Sequence, residues 1–249
     1  MGHVVLLTFL AVLVDGLAGL AGGLLSERWL RRNLPALVGF AAGTLLTASF
    51  LEVLPEAVET QGSAAFSWCF ASFVALALLE WRLGQHHHPH GVAARAPTLP
   101  AALLGSDALH NVGDGAAVAA AFLVSVEAGV ATSLAVIAHE LPQEVGDYAL
   151  LRASGWTRGR ALLSLAGVQL TAMVGAAAML LGSRLLPSLQ GIVLAVAAGT
   201  FIYIGAVDLL PELRHGTVQE TRQRVVGLLL GLALLLAFQL VGSKLGLAG

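Results

Sequence analysis

The chain has 249 residues, of which 57% are hydrophobic and 11% charged, against roughly 25% charged in ordinary soluble domains. That composition excludes a soluble enzyme and gives a polytopic membrane protein, with no segment long enough for a separate soluble core. The formal charge of −2 comes without any basic stripe, which argues against nucleic acid as a partner, and a single cysteine, Cys69, excludes a disulfide framework or thiolate metal cluster.

Eight apolar segments of spanning length follow one another at about 4–25, 34–57, 64–83, 99–125, 128–151, 161–182, 189–211 and 224–242. No β pattern competes, so the expected fold is all-α, one transmembrane domain over residues 1–249 in contact with the lipid bilayer. The first apolar run lacks a positive leader and is interrupted by Asp15, which makes it a retained span and not a signal peptide. Basic residues divide eleven to two between alternate loops: Arg28, Arg31, Arg32, Arg82, Arg95, Arg152, Arg158, Arg160, Arg214, Arg222 and Arg224 against Arg184 and Lys244. The positive-inside bias then places both termini outside and the loop 85–98 in the cytoplasm. That loop holds His86, His87, His88 and His90, neutral imidazoles able to collect metal.

The fourth and fifth spans carry most of the polar chemistry. At 100° per residue, Asp107, His110, Asn111 and Asp114 fall within an arc of about 100° on one helix face. His139, Glu140, Gln143, Glu144 and Asp147 occupy about 140° of the next helix. Mid-span carboxylates cost about 2.5–3.5 kcal/mol each near the bilayer centre unless they meet water, one another or a cation. Two facing helices with imidazole, amide and carboxylate groups can enclose a cation. Pro142 cannot donate to the carbonyl of Ala138 and is expected to break the fifth helix there, leaving a bare oxygen beside His139. Asp15, Glu52, Asp208 and Gln169, isolated polar groups in apolar runs, are candidates for a pathway or gate, as are Asp107 and Asp147.

Residues 41–56, AAGTLLTASFLEVLPE, align without gaps to residues 197–212, AAGTFIYIGAVDLLPE, with seven identities. The two lie five spans apart and must cross in opposite directions, so helices 1–3 and 6–8 form an inverted repeat around helices 4–5, a construction typical of secondary transporters. Small residues, Gly16, Gly19, Gly22 and Gly23 on the first span and Gly167 and Gly175 on the sixth, suit close helix packing.

His-Asn-x-x-Asp-Gly from His110 and His-Glu-x-Pro-Gln-Glu-x-Gly-Asp-Tyr from His139 resemble the fourth and fifth helices of the ZIP (Zrt/Irt-like) divalent metal transporters, prokaryotic type. The likeness extends to Ala41-Ala42-Gly43-Thr44 with Leu54-Pro55-Glu56, and to Ala197-Ala198-Gly199-Thr200 with Asp208-Leu209-Leu210-Pro211-Glu212. It departs at Gln143, where one subgroup has histidine, and amide oxygen is a weaker zinc ligand than imidazole. The resemblance implies a multi-pass protein of a cell membrane, a bacterial inner membrane in the prokaryotic case, with a binuclear-type centre between helices 4 and 5. His110, Asp114, His139 and Gln143 match one set of metal positions, and Asn111, Glu140 and Glu144 the neighbouring set. It also implies Zn²⁺ as substrate moving toward the cytoplasm, no catalytic cofactor, elevator-type motion of helices 1, 4, 5 and 6 against 2, 3, 7 and 8, and a homodimer.

Fe²⁺, Mn²⁺ or Cd²⁺ as cargo, or export instead of import, are the alternatives left open by mixed nitrogen and oxygen ligation. An intramembrane zinc protease needs His-Glu-x-x-His, and here the fifth position is Gln143. A purely structural or receptor protein would give no reason for the ligand stripes.

Overall fold

The computed structural model describes residues 2–24, 27–83, 99–214 and 216–245, and among them the chain forms helices and no strands. The expected histidines 86, 87, 88 and 90 lie outside the described residues. Eight helices follow the eight apolar segments. They are α1 (Gly2–Leu24), α2 (Glu27–Ala48, continued by Ser49–Val53 and Leu54–Gln61), α3 (Ala64–Leu83) and α4 (Leu99–Val124). The second half has α5 (Val126–Ala153), α6 (Arg158–Leu185), α7 (Leu189–Tyr203, continued by Ile204–Leu209 and Leu210–Glu212) and α8 (Val218–Leu245). Five of them, α1, α2, α6, α7 and α8, are long and apolar enough to cross a membrane by length and composition. Together they make an all-α polytopic membrane protein.

α2 and α7 share a local irregularity. Each widens into a π-helical turn, Ser49–Val53 and Ile204–Leu209, just before a Leu-Pro-Glu tripeptide. The proline explains the place: it has no N–H to continue the ladder, and a π turn is one way to absorb the lost bond. In α2, the Gln239 side chain of α8 donates to the Leu51 carbonyl (3.0 Å) within that turn and to the Glu52 carboxylate.

The helices pack in two groups. α2 lies along α8 and α3 along α7, while α1 lies along α5 and α4 along α6; α2 also reaches α5, and α7 reaches α4. Within each group, glycine removes the side chain where backbones meet. A Cβ on Gly39 would stand 1.9 Å from the Arg224 carbonyl oxygen, and one on Gly227 2.1 Å from that of Ala36, so the α2–α8 seam is glycine-faced on both sides. The α4–α6 seam is built likewise: a Cβ on Gly115 would lie 1.8 Å from the Ala172 oxygen and one on Gly175 1.9 Å from that of Val112. No larger residue fits these positions without separating the helices, the geometry that small-residue membrane packing exploits.

α4 and α5 are joined by a single extended residue, Ser125, whose hydroxyl accepts from the Ala128 N–H (3.0 Å) and caps α5. So short a turn forces the helices to return side by side. Gly129 permits it, because a Cβ there would fall 2.2 Å from the Phe122 ring. The hairpin also fixes register: His110 and Glu140 each stand fifteen positions from Ser125, and Asp107 and Gln143 eighteen. At 1.5 Å per residue the first pair lies about 22 Å from the turn, less than the thickness of a hydrocarbon core of about 30 Å.

One expectation fails here. α5 runs unbroken from Val126 to Ala153 with Pro142 inside it. A membrane helix clasped by neighbours tolerates the loss of one hydrogen bond, and α5 packs against α1, α2 and α4. What sets α5 apart from a protease helix is Gln143 in place of a second histidine.

Candidate metal centre

The hairpin brings four side chains to one point. His110 and Asp114 of α4 and His139 and Glu140 of α5 each offer a ligand atom, all within 4.8 Å of one another. His110 Nε2 lies 3.1 Å from His139 Nε2, 3.5 Å from Asp114 Oδ2 and 3.7 Å from Glu140 Oε1. His139 Nε2 lies 3.1 Å from Asp114 Oδ2 and 3.8 Å from Glu140 Oε1. A tetrahedral Zn²⁺ with bonds of about 2.0–2.1 Å holds its donors roughly 3.3–3.4 Å apart, so these separations enclose such an ion with adjustments of a few tenths of an ångström.

Protonation favours the same conclusion. His139 Nδ1 is 3.1 Å from the Ala135 carbonyl oxygen, which can only accept, so Nδ1 carries a proton and the neutral ring binds a metal through Nε2. That is the second-neighbour contact by which metal-binding histidines are ordinarily oriented. Two imidazole Nε2 atoms at 3.1 Å repel unless a proton or cation lies between them. Glu140 is fully buried and its Oε1 has no hydrogen-bond partner, a costly state that a cation removes. The Phe201 ring of α7 closes one side, 5.8 Å from the His139 ring centre.

The other residues expected at the site surround this cluster. Gln169 of α6 donates to Glu140 Oε2 (2.8 Å) and Glu144 Oε1 (2.5 Å), tying together two carboxylates one helical turn apart. Gln143 donates to Asp107 Oδ1 (3.1 Å), as does Asn111 (3.0 Å), so in this structure the two amides organise Asp107. Asn111 Oδ1 and the second oxygen of Asp107, Oδ2, are buried without hydrogen-bond partners. Asp147 is buried one turn beyond Gln143. Glu52 faces Gln239 at the α2–α8 seam, and Asp208 is exposed.

Sequence reasoning placed Gln169 among possible pathway or gate residues; in the structure its amide donates to two of the carboxylates expected as ligands. It missed Gln239, an amide in a long apolar helix whose only signal was its polarity. It also gave Gly19 no task beyond packing. A Cβ there would stand 3.1 Å from Glu144 Cγ and 3.3 Å from Gln169 Nε2, so the glycine seats α1 directly on the braced carboxylates.

Residues 82–239 match the family model described as ZIP Zinc transporter. Human zinc transporter ZIP10 is 33% identical over 187 residues, covering 65% of this chain and 22% of the relative. Mouse zinc transporter ZIP4 is 41% identical over 140 residues, covering 55% of this chain and 20% of the relative. Human zinc transporter ZIP6 is 35% identical over 127 residues, covering 51% and 17%. The aligned parts thus make up about a fifth of each of these curated relatives. The family match takes in the α4–α5 hairpin, its four donors and the Gln169 brace together, and the chain belongs to the ZIP zinc transporter family.

Proposed function

We propose that this chain carries a divalent transition metal, Zn²⁺ foremost, across a membrane toward the cytoplasm through the centre between α4 and α5. The observation that carries the reading is the pair of facing imidazole Nε2 atoms, 3.1 Å apart, with Asp114 and Glu140 beside them. They stand deep within paired membrane helices, where so polar a cluster is stable only around water, protons or a cation. His110, Asp114, His139 and Glu140 are the first ligands. Asn111, Gln143, Glu144 and Asp107 form the neighbouring set into which the ion passes, Glu140 being shared. Zinc transport in the named relatives supports Zn²⁺ as substrate, and the oxygen-rich neighbouring set also admits Fe²⁺, Mn²⁺ or Cd²⁺.

The inverted repeat is part of this proposal. The swap of α1 with α6, α2 with α7, α3 with α8 and α4 with α5 exchanges the α2–α8 packing with α7–α3 and the α1–α5 packing with α6–α4. The π turns before Leu-Pro-Glu fall on equivalent positions. Two glycine-sealed groups of helices meeting at α2–α5 and α4–α7 suit an elevator motion of one group against the other. We place the chain in a cell membrane, a bacterial inner membrane in the prokaryotic reading, with both termini outside, as a single domain able to form a homodimer. Uptake of Zn²⁺ into proteoliposomes of known orientation, followed with a trapped dye, tests the function: saturable uptake supports it, and rates equal to those of empty vesicles contradict it.

A further inference from the structure

One face of α6 is left uncovered by the fold. Ala161, Leu165, Val168, Ala172 and Met179 are buried toward α4 and α1, whereas Leu163 (76% exposed), Leu170 (58%), Val174 (62%) and Leu181 (61%) face outward. At 100° per residue those four fall within an arc of about 40°, with Arg160 about 60° from its centre at the head of the same face. The 28 residues of α6 include no aspartate or glutamate.

A built turn stands at that head. α5 ends at Ala153 and α6 starts at Arg158, and between them Gly155 takes a φ of 88°, which glycine adopts without strain. Trp156 packs on the buried cluster of Leu103, Leu151, Ala161 and Leu165, and its N–H donates to the Leu151 carbonyl (3.1 Å). Arg152 donates to the Trp156 carbonyl, and the Arg160 guanidinium carbon lies 3.8 Å from the centre of the Trp156 ring. Stacking occupies the face of a guanidinium and leaves its in-plane N–H groups free to grip a phosphate. Arg152, Arg158 and Arg160 are all exposed, and among the described residues no carboxylate pairs with any of them.

At 1.5 Å per residue α6 is about 42 Å long, against a hydrocarbon core of about 30 Å, so its first turn stands at headgroup level with the apolar face beyond it. We propose that the α5–α6 turn and the outer face of α6 form a binding site for one anionic phospholipid. Its phosphate is held by Arg158 and Arg160, and an acyl chain lies along Leu163, Leu170 and Val174. Either leaflet satisfies this geometry, and the site depends on the membrane fold and not on the metal centre. Charge selects lipid over a second copy of the chain on this face. A two-fold axis along the membrane normal would set α6 parallel to its counterpart and bring the arginines of both copies to one level, like charge against like, with no acidic residue on the helix to offset them. An anionic headgroup cancels that charge, at about fivefold in affinity (about 1 kcal/mol) for each arginine near the surface.

Native mass spectrometry of the full-length chain, equilibrated in detergent with equal amounts of phosphatidylglycerol and phosphatidylcholine of the same acyl chains, tests the site. The wild type should retain phosphatidylglycerol in preference. Arg158→Gln combined with Arg160→Gln should weaken that retention roughly 25-fold, two arginines at about fivefold each, and leave phosphatidylcholine retention and helix content unchanged. Equal retention of the two lipids by the wild type, or a preference that survives in the double variant, overturns the proposal. Inorganic phosphate should not displace the lipid, because it has no acyl chain to lie on the apolar face; displacement by it at equal concentration overturns the lipid assignment. Oxidative cross-linking of Leu170→Cys in a Cys69→Ala background, in vesicles, should join no chains. Chains joined at position 170 would put a second copy on this face and overturn the proposal as well.

Discussion

Glu52 and Glu140 are both glutamates within long membrane helices, and each accepts a hydrogen bond from a glutamine on another helix, Gln239 and Gln169 respectively. Their surroundings then part. Gln239 also satisfies the Leu51 carbonyl in the π turn, so around Glu52 the amide closes a local defect in the backbone. Gln169 spends its donors on two carboxylates, Glu140 and Glu144, and Glu140 keeps a second oxygen with no partner, turned toward two imidazoles. The same pair of residue types serves helix assembly in one place and readies a ligand in the other. What separates them is whether the carboxylate's remaining oxygen is left for something the protein itself does not supply.

The comparison is broken most directly at the imidazole beside Glu140. His139→Ala should lower Zn²⁺ affinity by more than about 100-fold, since removing even supporting groups costs about 10–100-fold, while insertion and helix content stay unchanged by circular dichroism. Near wild-type affinity in that variant would remove His139 from the site. Glu140→Gln keeps shape and hydrogen bonding but halves the donor charge; a loss of about 10–100-fold in Zn²⁺ uptake is expected, measured in the same vesicles.

Acidification acts on both imidazoles at once. Neutral imidazole binds metal and imidazolium does not, so affinity is held above the histidine range and lost as pH falls through it. Lowering the pH from about 7.5 to about 5.5 should therefore weaken zinc binding. Zinc binding that stays flat across that interval would show that neither histidine ligates.

Smaller effects sharpen the contrast. Gln169→Leu leaves all four donors present but unbraced, and about a tenfold loss of affinity is expected, the scale for a supporting residue. Glu52→Gln should change zinc affinity by less than about twofold, because a glutamine there can still meet Gln239 and sits outside the ligand cluster; a loss as large as that of Glu140→Gln would place Glu52 in the metal's route after all.

How far the sequence revealed this follows the range of each interaction. The eight helices were legible because a spanning run of apolar residues is a local property, and α4 and α5 declared their polar faces through spacing alone. His110, Asp114, His139 and Glu140 converge because the one-residue Ser125 turn fixes register, which the sequence carries in the equal distances on either side. The bond from Gln143 to Asp107 follows the same register, yet the choice between bonding a carboxylate and ligating an ion is made by side-chain rotation that no pattern reports. Gln169 and Gln239 were opaque for another reason. Each finds its partner across a helix seam whose closeness depends on glycines far away in sequence, such as Gly19 for the first. Pro142 misled because the rule that proline breaks helices belongs to isolated or solvent-exposed ones, and α5 is held by neighbours.

The central claim is that two imidazoles and two carboxylates from one helical hairpin hold the transported ion. X-ray absorption at the zinc edge of the purified, zinc-loaded chain examines it without recourse to a variant. The account predicts a shell of nitrogen and oxygen donors at about 2.0–2.1 Å, with the multiple-scattering signature of two imidazole rings. A zinc spectrum lacking imidazole scattering would contradict it.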